Sequence, residues 1–171
     1  MKALIVVDMQ KIITKQKDFS SVTGNIEKLV KKFRKDKNQV VFVKQVSLEK
    51  DDFFFKDYET TSIDFDILEE ELVVEKQSPS IFKNTVLDEH LRKRGITELV
   101  IVGFNTEFCC LFSTIAAFDR GYQVTFVEDA IGSCNDETTY EMPGLDINDF
   151  VGTFLDWSGV VTVVDTEELF E

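Results

Sequence analysis

Histidine, proline and cysteine are scarce in this chain, which has one, two and three of them among 171 residues. A single histidine leaves too few imidazoles for a histidine-rich metal site. Two prolines leave no proline-rich linker, so we predict one domain over residues 1–171. Three cysteines are too few, and odd in number, for a disulfide framework. Each cysteine is therefore either a buried small hydrophobe or a reactive thiol.

Basic side chains are also in deficit, with 19 lysines and arginines against 32 acidic residues and a formal charge of -13. Such a charge repels nucleic acid and anionic membrane surfaces. No apolar run approaches the length of a membrane span, and the apolar part of MKALIVVDMQ is too short for a secretory signal. We therefore expect a soluble cytoplasmic protein without nucleic-acid or membrane partners.

What the chain does contain is an alternation of short apolar runs and helical patterns. About six runs are typical of strands in a parallel sheet: ALIVV from Ala3, QVVFVKQV from Gln39, ELVVE from Glu71, ELVIVGF from Glu98, YQVTFVED from Tyr122 and VVTVV from Val160. The order predicts a single-domain, three-layer α/β/α fold around a doubly wound, mostly parallel sheet.

Apolar residues at helical spacing occupy the segments between these runs. One helix is predicted to carry Phe108, Phe112 and Phe118 and to end at Gly121. A final amphipathic helix follows Asp146, which we predict to be its N-cap.

One long segment, residues 47–66, follows neither the strand nor the helix period. It contains three consecutive phenylalanines, Phe53, Phe54 and Phe55, among acidic residues. A surface loop with its aromatics packed beneath it explains this composition, but loops of this length also form lids and binding loops. The triplet fits either a partly aromatic pocket or a subunit interface.

Three chemically distinct residues are expected where strands end. Asp8 follows the first strand, Lys76 the third, and Cys109 lies just beyond the fourth. In open α/β sheets, ligands bind outside the carboxyl ends of the strands, so an acid, a cation and a thiol can converge there. With Thr106 as N-cap, Cys109 falls at the third helical position, where the helix dipole favours a thiolate. Taken singly, each residue fits a turn, a solvated lysine or a core cysteine.

Two stretches, VVDMQ and Glu75 to Ser133, resemble the isochorismatase-like cysteine hydrolases, which include nicotinamidases and N-carbamoylsarcosine amidases. The matching positions are Val6, Val7, Asp8, Gln10, Lys76, Ser80, Phe82, Leu87, Gly103, Thr106 and Cys109. The resemblance implies a Rossmann-type strand order and covers nearly the whole chain.

The resemblance also implies a mechanism. Asp8 acts as base and then acid, Lys76 gives electrostatic support, and Cys109 attacks the C–N bond of a small amide, carbamoyl or ureido compound through a thioester. A cis peptide is expected at Phe104-Asn105, which directs the Asn105 and Cys109 amides at the oxyanion. Isochorismatases proper lack the cysteine, so its presence favours C–N cleavage.

Some positions depart from the family pattern. Nicotinamidases bind a metal through a D-x-H pattern after the second strand, whereas this chain has only His90, in a helix. We therefore predict no metal and no cofactor. By resemblance we expect a dimer or tetramer. The residues predicted to line the substrate pocket are Gln10, Phe53, Phe54, Phe55, Phe82 and Phe108.

Two other functions remain open on the sequence. Adjacent Cys109 and Cys110 could form a vicinal disulfide in a redox-active protein, although that ring is strained. The same fold could instead hold a ligand without catalysis, because a fold does not fix a function. Cys110 takes a position that is usually valine, and Cys134, in CNDETTYEMPG, has no assigned role.

Overall fold

The computed structural model describes residues 1–170 and contains one sheet. Its strands are β1 (Lys2–Val7), β2 (Gln39–Gln45), β3 (Leu72–Lys76), β4 (Glu98–Phe104), β5 (Gln123–Gly132) and β6 (Thr162–Val164). All neighbouring strands are parallel, in the order β3-β2-β1-β4-β5-β6. The predicted doubly wound sheet and its Rossmann-type order are confirmed, and every strand pair is parallel.

Helices cover both faces of the sheet. They are α1 (Lys11–Thr14), α2 (Ser20–Lys35), α3 (Leu87–Lys93), α4 (Leu111–Asp119) and α5 (Ile147–Trp157), with 3₁₀ turns at Glu59–Thr61 and Thr166–Phe170 and a π turn at Thr106–Cys110. The buried side of α2 packs with Leu4 and Val6 of β1 in one core. Residues of α3, α4 and α5 join Ile5 and Val7 in the other core. Because the central strands are buried on both faces, their sequences are almost continuously apolar.

The helix ends show one confirmed and one wrong prediction. Asp146 caps α5, since its side chain accepts a hydrogen bond from the Asp149 amide. Thr106 is not an N-cap but the first residue of the π turn that leads into α4. Asn105 is the N-cap of that turn, with extended backbone dihedrals, and its carbonyl accepts from the Cys110 amide. Cys109 therefore lies one residue further into the helical segment than the sequence predicts.

A close contact between β1 and β4 requires glycine at position 103. Val7 and Gly103 are paired in register, and Gly103 has a φ of +119°. A Cβ atom there would lie 2.0 Å from the Val7 carbonyl oxygen. Glycine alone meets both demands, and it brings the turn after β4 next to the end of β1.

Among residues 1–170, no helix is both long and apolar enough to cross a membrane.

Candidate active site

The carboxyl ends of neighbouring strands bring the three predicted residues together. Asp8 directly follows β1, Lys76 is the last residue of β3, and Cys109 lies in the π turn after β4. Strand order reverses between β1 and β4, where open α/β sheets bind ligands. The cluster therefore lies at the position that the topology favours for a site.

The Lys76 ammonium is the centre of this cluster. Its Nζ donates to Asp8 Oδ2 at 2.8 Å and to Gln45 Oε1 at 2.7 Å, and it contacts Cys109 Sγ at 3.1 Å. Lys76 pairs with Gln45 in register, so its side chain passes across the end of β2 to reach the strand beyond. One cation thus holds an acid, an amide and a thiol that come from three different strand ends.

Burial strengthens the interaction between the charges of this cluster, because little solvent screens them. Asp8 and Lys76 are each 1% exposed, whereas Cys109 is partly open. Asp8 adopts a left-handed φ of +50°, and its amide donates to the Val43 carbonyl. Its second carboxylate oxygen, Oδ1, is buried and accepts no hydrogen bond from any residue within 1–170. A buried acceptor without a donor is costly, and it is available to a proton that arrives during a reaction.

The protonation states follow from the same burial. Desolvation raises the pKa of the Cys109 thiol to about 12, and the charge on Asp8 adds to the rise, while Lys76 opposes it. Burial also raises the pKa of Asp8, against the effect of the Lys76 ammonium. For Lys76, burial lowers the pKa, but Asp8 and Cys109 outweigh it and the net shift is upward. The raised pKa values therefore keep Cys109 a neutral thiol and Lys76 an ammonium at neutral pH.

This result corrects the expectation that the start of the helix favours a thiolate. The desolvation of Cys109 and the negative charge on Asp8 raise the thiol pKa, and the Lys76 ammonium opposes them only in part. The thiol needs a proton acceptor at the moment of attack, and Asp8 is the carboxylate that shares Lys76 with it.

The turn before Cys109 has the backbone that the resemblance predicts, because the Phe104-Asn105 peptide bond is cis. The Asn105 side chain accepts a hydrogen bond from the Cys134 amide at 3.2 Å. Glu107 Oε1 accepts from Ser133 Oγ, Asn135 Nδ2 and Tyr140 OH at 2.9, 2.7 and 2.9 Å. The segment after β5 that contains Cys134 is thus tied to the turn that carries Cys109.

A cavity of about 270 Å³ opens onto the cluster. Its lining includes the cluster residues Asp8, Gln45 and Cys109 together with Ile13, Phe54, Gln77, Ser78, Pro79, Asn105 and Phe108. Two of the predicted pocket residues, Phe54 and Phe108, are therefore in the lining.

The other four predicted pocket residues lie elsewhere, which corrects the sequence analysis. Gln10 is fully buried and bonds the Gln45 backbone and the Thr61 carbonyl, so it ties the 47–66 loop to β2. Phe82 is buried in a core and stacks on Tyr122. Phe53 is exposed and Phe55 packs on Tyr58. Consecutive loop residues point in different directions, so only one phenylalanine of the triplet reaches the cavity.

Gln45 is the site residue that the sequence analysis missed. It closes β2, and the rule that selects strand ends on a parallel sheet would also have selected it. Ile13, Gln77, Ser78 and Pro79 carry no comparable signal, because they belong to a short helix and a loop.

The residues present do not fit the metal site of nicotinamidases. Val46 and Ser47 follow β2, and neither is a carboxylate or an imidazole. His90 lies half-buried in α3, where its Nδ1 is 3.2 Å from Arg94 Nη1. Over residues 1–170, no three histidine, cysteine or acidic side chains are grouped as ligands.

The two adjacent thiols occupy different environments. All three cysteines are free, and Cys110 is fully buried in a core with a pKa raised well above the ordinary value by desolvation. A protonated thiol enclosed by apolar side chains is unreactive. Cys109 is thus the cysteine of this pair that faces the cavity.

Comparison with known proteins supplies the family. The family model described as "Isochorismatase domain" matches residues 2–157. The chain belongs to the isochorismatase family. This isochorismatase-family hydrolase is 28% identical over 150 residues to the uncharacterized isochorismatase family protein YwoC of Bacillus subtilis, covering 79% of each chain.

Two further comparisons bear on one region and on the fold. The hydrolase is 38% identical over 65 residues to nicotinamidase 3 of Arabidopsis thaliana, a match that spans 38% of this chain and 33% of the relative. The crystal structure of a cysteine hydrolase from Pseudomonas syringae superposes with a TM-score of 0.90 at 20% identity, covering 98% of this chain and 90% of that one. At that identity the likeness concerns the fold.

Proposed function

We propose that this protein is a metal-independent cysteine hydrolase that cleaves the C–N bond of a small amide, carbamoyl or ureido compound. The observation that carries the proposal is the Lys76 ammonium, which contacts both the Asp8 carboxylate and the Cys109 thiol at the cavity. A base, a nucleophile and a shared cation form the minimal set for covalent hydrolysis, and we assign Asp8, Lys76 and Cys109 as a catalytic triad.

The first half of the reaction acylates the thiol. Cys109 Sγ attacks the carbonyl carbon while Asp8, which shares the Lys76 ammonium with the thiol, takes the thiol proton. The oxyanion accepts hydrogen bonds from the backbone amides of Asn105 and Cys109. When the C–N bond breaks, Asp8 returns the proton to the nitrogen, and ammonia or an amine leaves with the acyl group held as a thioester.

The second half releases the product. Asp8, again a carboxylate, takes a proton from water as that water attacks the thioester carbon. Collapse of this intermediate expels the Cys109 sulfur, which takes the proton back from Asp8, and the acid product departs with Asp8 again a carboxylate. Lys76 keeps its charge throughout and stabilises whichever of Asp8 and Cys109 is anionic.

The size and lining of the cavity suit a small, partly apolar substrate. Its volume of about 270 Å³ is near the lower end for ligand sites, and Ile13, Phe54 and Phe108 supply apolar walls. The similarity to a nicotinamidase supports an amide as the scissile group. The lack of matching ligands at the nicotinamidase metal position favours an amide that is not held through a metal.

The test is ammonia release from a panel of small amides, carbamoyl compounds and ureides after treatment with a chelator. Wild type is compared with Cys109→Ala, and Cys110→Ala serves as the matched control for loss of a neighbouring thiol. We expect turnover of at least one compound that survives chelation, vanishes in Cys109→Ala and persists in Cys110→Ala. Activity in Cys109→Ala would contradict the assigned nucleophile.

A second candidate is a binding protein that uses the same cavity without catalysis. If no compound in the panel is hydrolysed, but one of them protects Cys109 from alkylation and is not consumed, the binding function gains support. The protection experiment separates the two functions because it needs no turnover.

A further inference from the structure

Two side-chain amides line the candidate active-site cavity, and the chemistry of their partners fixes their orientations. Gln45 Oε1 accepts a hydrogen bond from the Lys76 ammonium at 2.7 Å, and Asn105 Oδ1 accepts one from the Cys134 backbone amide at 3.2 Å. Both partners are donors, so only an amide oxygen can face them. The nitrogens, Gln45 Nε2 and Asn105 Nδ2, are therefore the polar atoms that these side chains have left for a ligand.

These two nitrogens are unused donors. Each carries two N–H groups, and neither nitrogen donates to another residue within 1–170. Gln45 and Asn105 are both half-buried, so the wall that they form is only partly open to water. A few fixed polar groups in a mostly apolar cavity are what usually sets the orientation and the identity of a ligand.

The Lys76 ammonium, by contrast, has no free N–H group for a ligand. An ammonium has three of them, and Asp8, Gln45 and Cys109 take one each. In the part of the chain that the structure describes, the cavity lining contains no lysine, arginine or histidine, and its one acidic residue is Asp8. A substrate carboxylate in this cavity would have no cation to pair with, and burying an unpaired charge is costly.

We propose that the cavity selects an uncharged amide that carries a second carbonyl group, and that the side-chain NH₂ groups of Gln45 and Asn105 select it by donating to that carbonyl. This inference rests on the proposed hydrolysis and narrows its substrate class. Diamides and ureides with a second carbonyl meet the requirement. A simple aliphatic amide lacks the second acceptor, and an N-carbamoyl amino acid brings a carboxylate that the cavity cannot pair.

Three compounds of equal chain length test this selection. Succinamide has a second carbonyl group, butyramide has a methyl group in its place, and succinamate has a carboxylate there. Each compound, in large excess over the protein, is assayed for protection of Cys109 from iodoacetamide, with the modified peptide mapped by mass spectrometry. We expect the dissociation constant of succinamide to be about 5–10-fold lower than that of butyramide and at least about tenfold lower than that of succinamate.

Gln45→Glu and Asn105→Asp test the two donors while keeping their anchors. Each variant retains the oxygen that accepts from Lys76 or Cys134 and exchanges the NH₂ group for a second oxygen. We expect the preference for succinamide over butyramide to disappear. We also expect γ-aminobutyramide, which has an ammonium in place of the second amide, to bind at least about tenfold more tightly than it binds wild type, because a carboxylate accepts from an ammonium.

The matched control is Gln123→Glu. It adds the same charge at an exposed position at the start of β5, whereas the site lies where the strands end. The preference for succinamide should be unchanged in this variant. Alkylation without any ligand is measured for every protein, so that a change in thiol reactivity is not counted as binding, and circular dichroism checks that each variant is folded.

The selection is overturned if succinamide does not protect Cys109, or if butyramide or succinamate protects equally well. It is also overturned if the preference survives in both cavity variants, or if Gln123→Glu removes it, since added charge alone would then be responsible. Ammonia release is measured separately. Turnover of several amides without preference would overturn the selection and leave the hydrolysis standing, whereas selective protection without turnover would do the reverse.

Discussion

At the scale of single residues, Gln45 is the side chain whose role the structure changes most. Its Oε1 accepts from the Lys76 ammonium, whereas its backbone pairs with Gln10. An ammonium only donates hydrogen bonds, so the Gln45 oxygen Oε1, and not the amide nitrogen, must face Lys76. Gln45 also lines the cavity. Gln45 thus positions the cation while its backbone holds the loop.

Replacing Gln45 by methionine should separate these two roles. Gln45→Met keeps the backbone bonds and most of the volume but removes the acceptor from Lys76. A hydrogen bond to a charged group contributes about 1.5–3 kcal/mol, so we expect kcat to fall roughly 10- to 100-fold with a small change in stability. The control is Gln10→Met, which should lower stability while the pH dependence of Cys109 alkylation stays unchanged. If the pH dependence of Cys109 alkylation were the same in wild type, Gln45→Met and Gln10→Met, Gln45 would not position Lys76.

Asp8→Asn should uncouple thiol ionisation from catalysis. In wild type the thiol pKa is raised to about 12, so the rate of iodoacetamide alkylation at Cys109 should still be rising at high pH. Removing the Asp8 charge leaves Lys76 as the nearest ion, which lowers the thiol pKa and moves the alkylation profile to lower pH.

Turnover in Asp8→Asn should nevertheless fall by about 10²–10⁴-fold, because the proton acceptor is lost. Alkylation with mass-spectrometric mapping of Cys109, Cys110 and Cys134 measures the first effect, and ammonia release measures the second. If Cys109 of Asp8→Asn were alkylated with the same pH dependence as in wild type, Asp8 would not control the pKa of the thiol.

At the scale of elements, the junction of β1 and β4 is the most demanding piece of backbone. Gly103→Ala places a Cβ 2.0 Å from the Val7 carbonyl oxygen at a φ of +119°, so we expect a loss of about 3 kcal/mol or more, or failure to fold. Gly24→Ala in α2 is the matched control, since nothing lies within 4 Å of its added methyl group and alanine favours helix by about 0.5–1 kcal/mol. Urea denaturation of both variants checks the contrast, and equal stabilities would refute it.

The sequence predicts the elements well where one physical rule decides the outcome. Strands buried on both faces leave continuous apolar runs, so β4 is predicted to the residue, and the alternation predicts the parallel sheet. The helical period does not show which side of an apolar helix meets the sheet. On α4 the small residues Ser113, Thr114 and Ala117 face the sheet and the large ones face outward.

The candidate site is predictable to a similar extent. Strand ends are selected by topology, so Asp8, Lys76 and Cys109 can be found from the sequence. The remainder of the cavity depends on how loops fold back, which no local period encodes. The directions of Phe53, Phe54 and Phe55 illustrate this, because three identical neighbours have three different surroundings.

At the scale of the whole molecule, charge opposes the dimer or tetramer that the family resemblance predicts. Each copy carries a formal charge of -13, so two copies repel each other through solution. Salt shortens the Debye length from about 30 Å at 0.01 M to about 8 Å at 0.15 M. We therefore expect sodium chloride to tighten the dimer, as measured by sedimentation at several salt concentrations. A dimer that salt weakens would instead depend on ion pairs across the interface.

Because Lys76 reaches across β2 to meet Asp8 and Cys109, the site depends on parts of the chain that lie on both sides of the 47–66 loop. A cut in the 47–66 loop leaves Asp8 and Gln45 on one piece and Lys76 and Cys109 on the other. Neither piece then holds a base together with a nucleophile. A mixture of the two pieces could hydrolyse a substrate only after β2 had paired with β3 and β1 with β4. Hydrolysis by the mixed fragments would therefore measure assembly of the sheet.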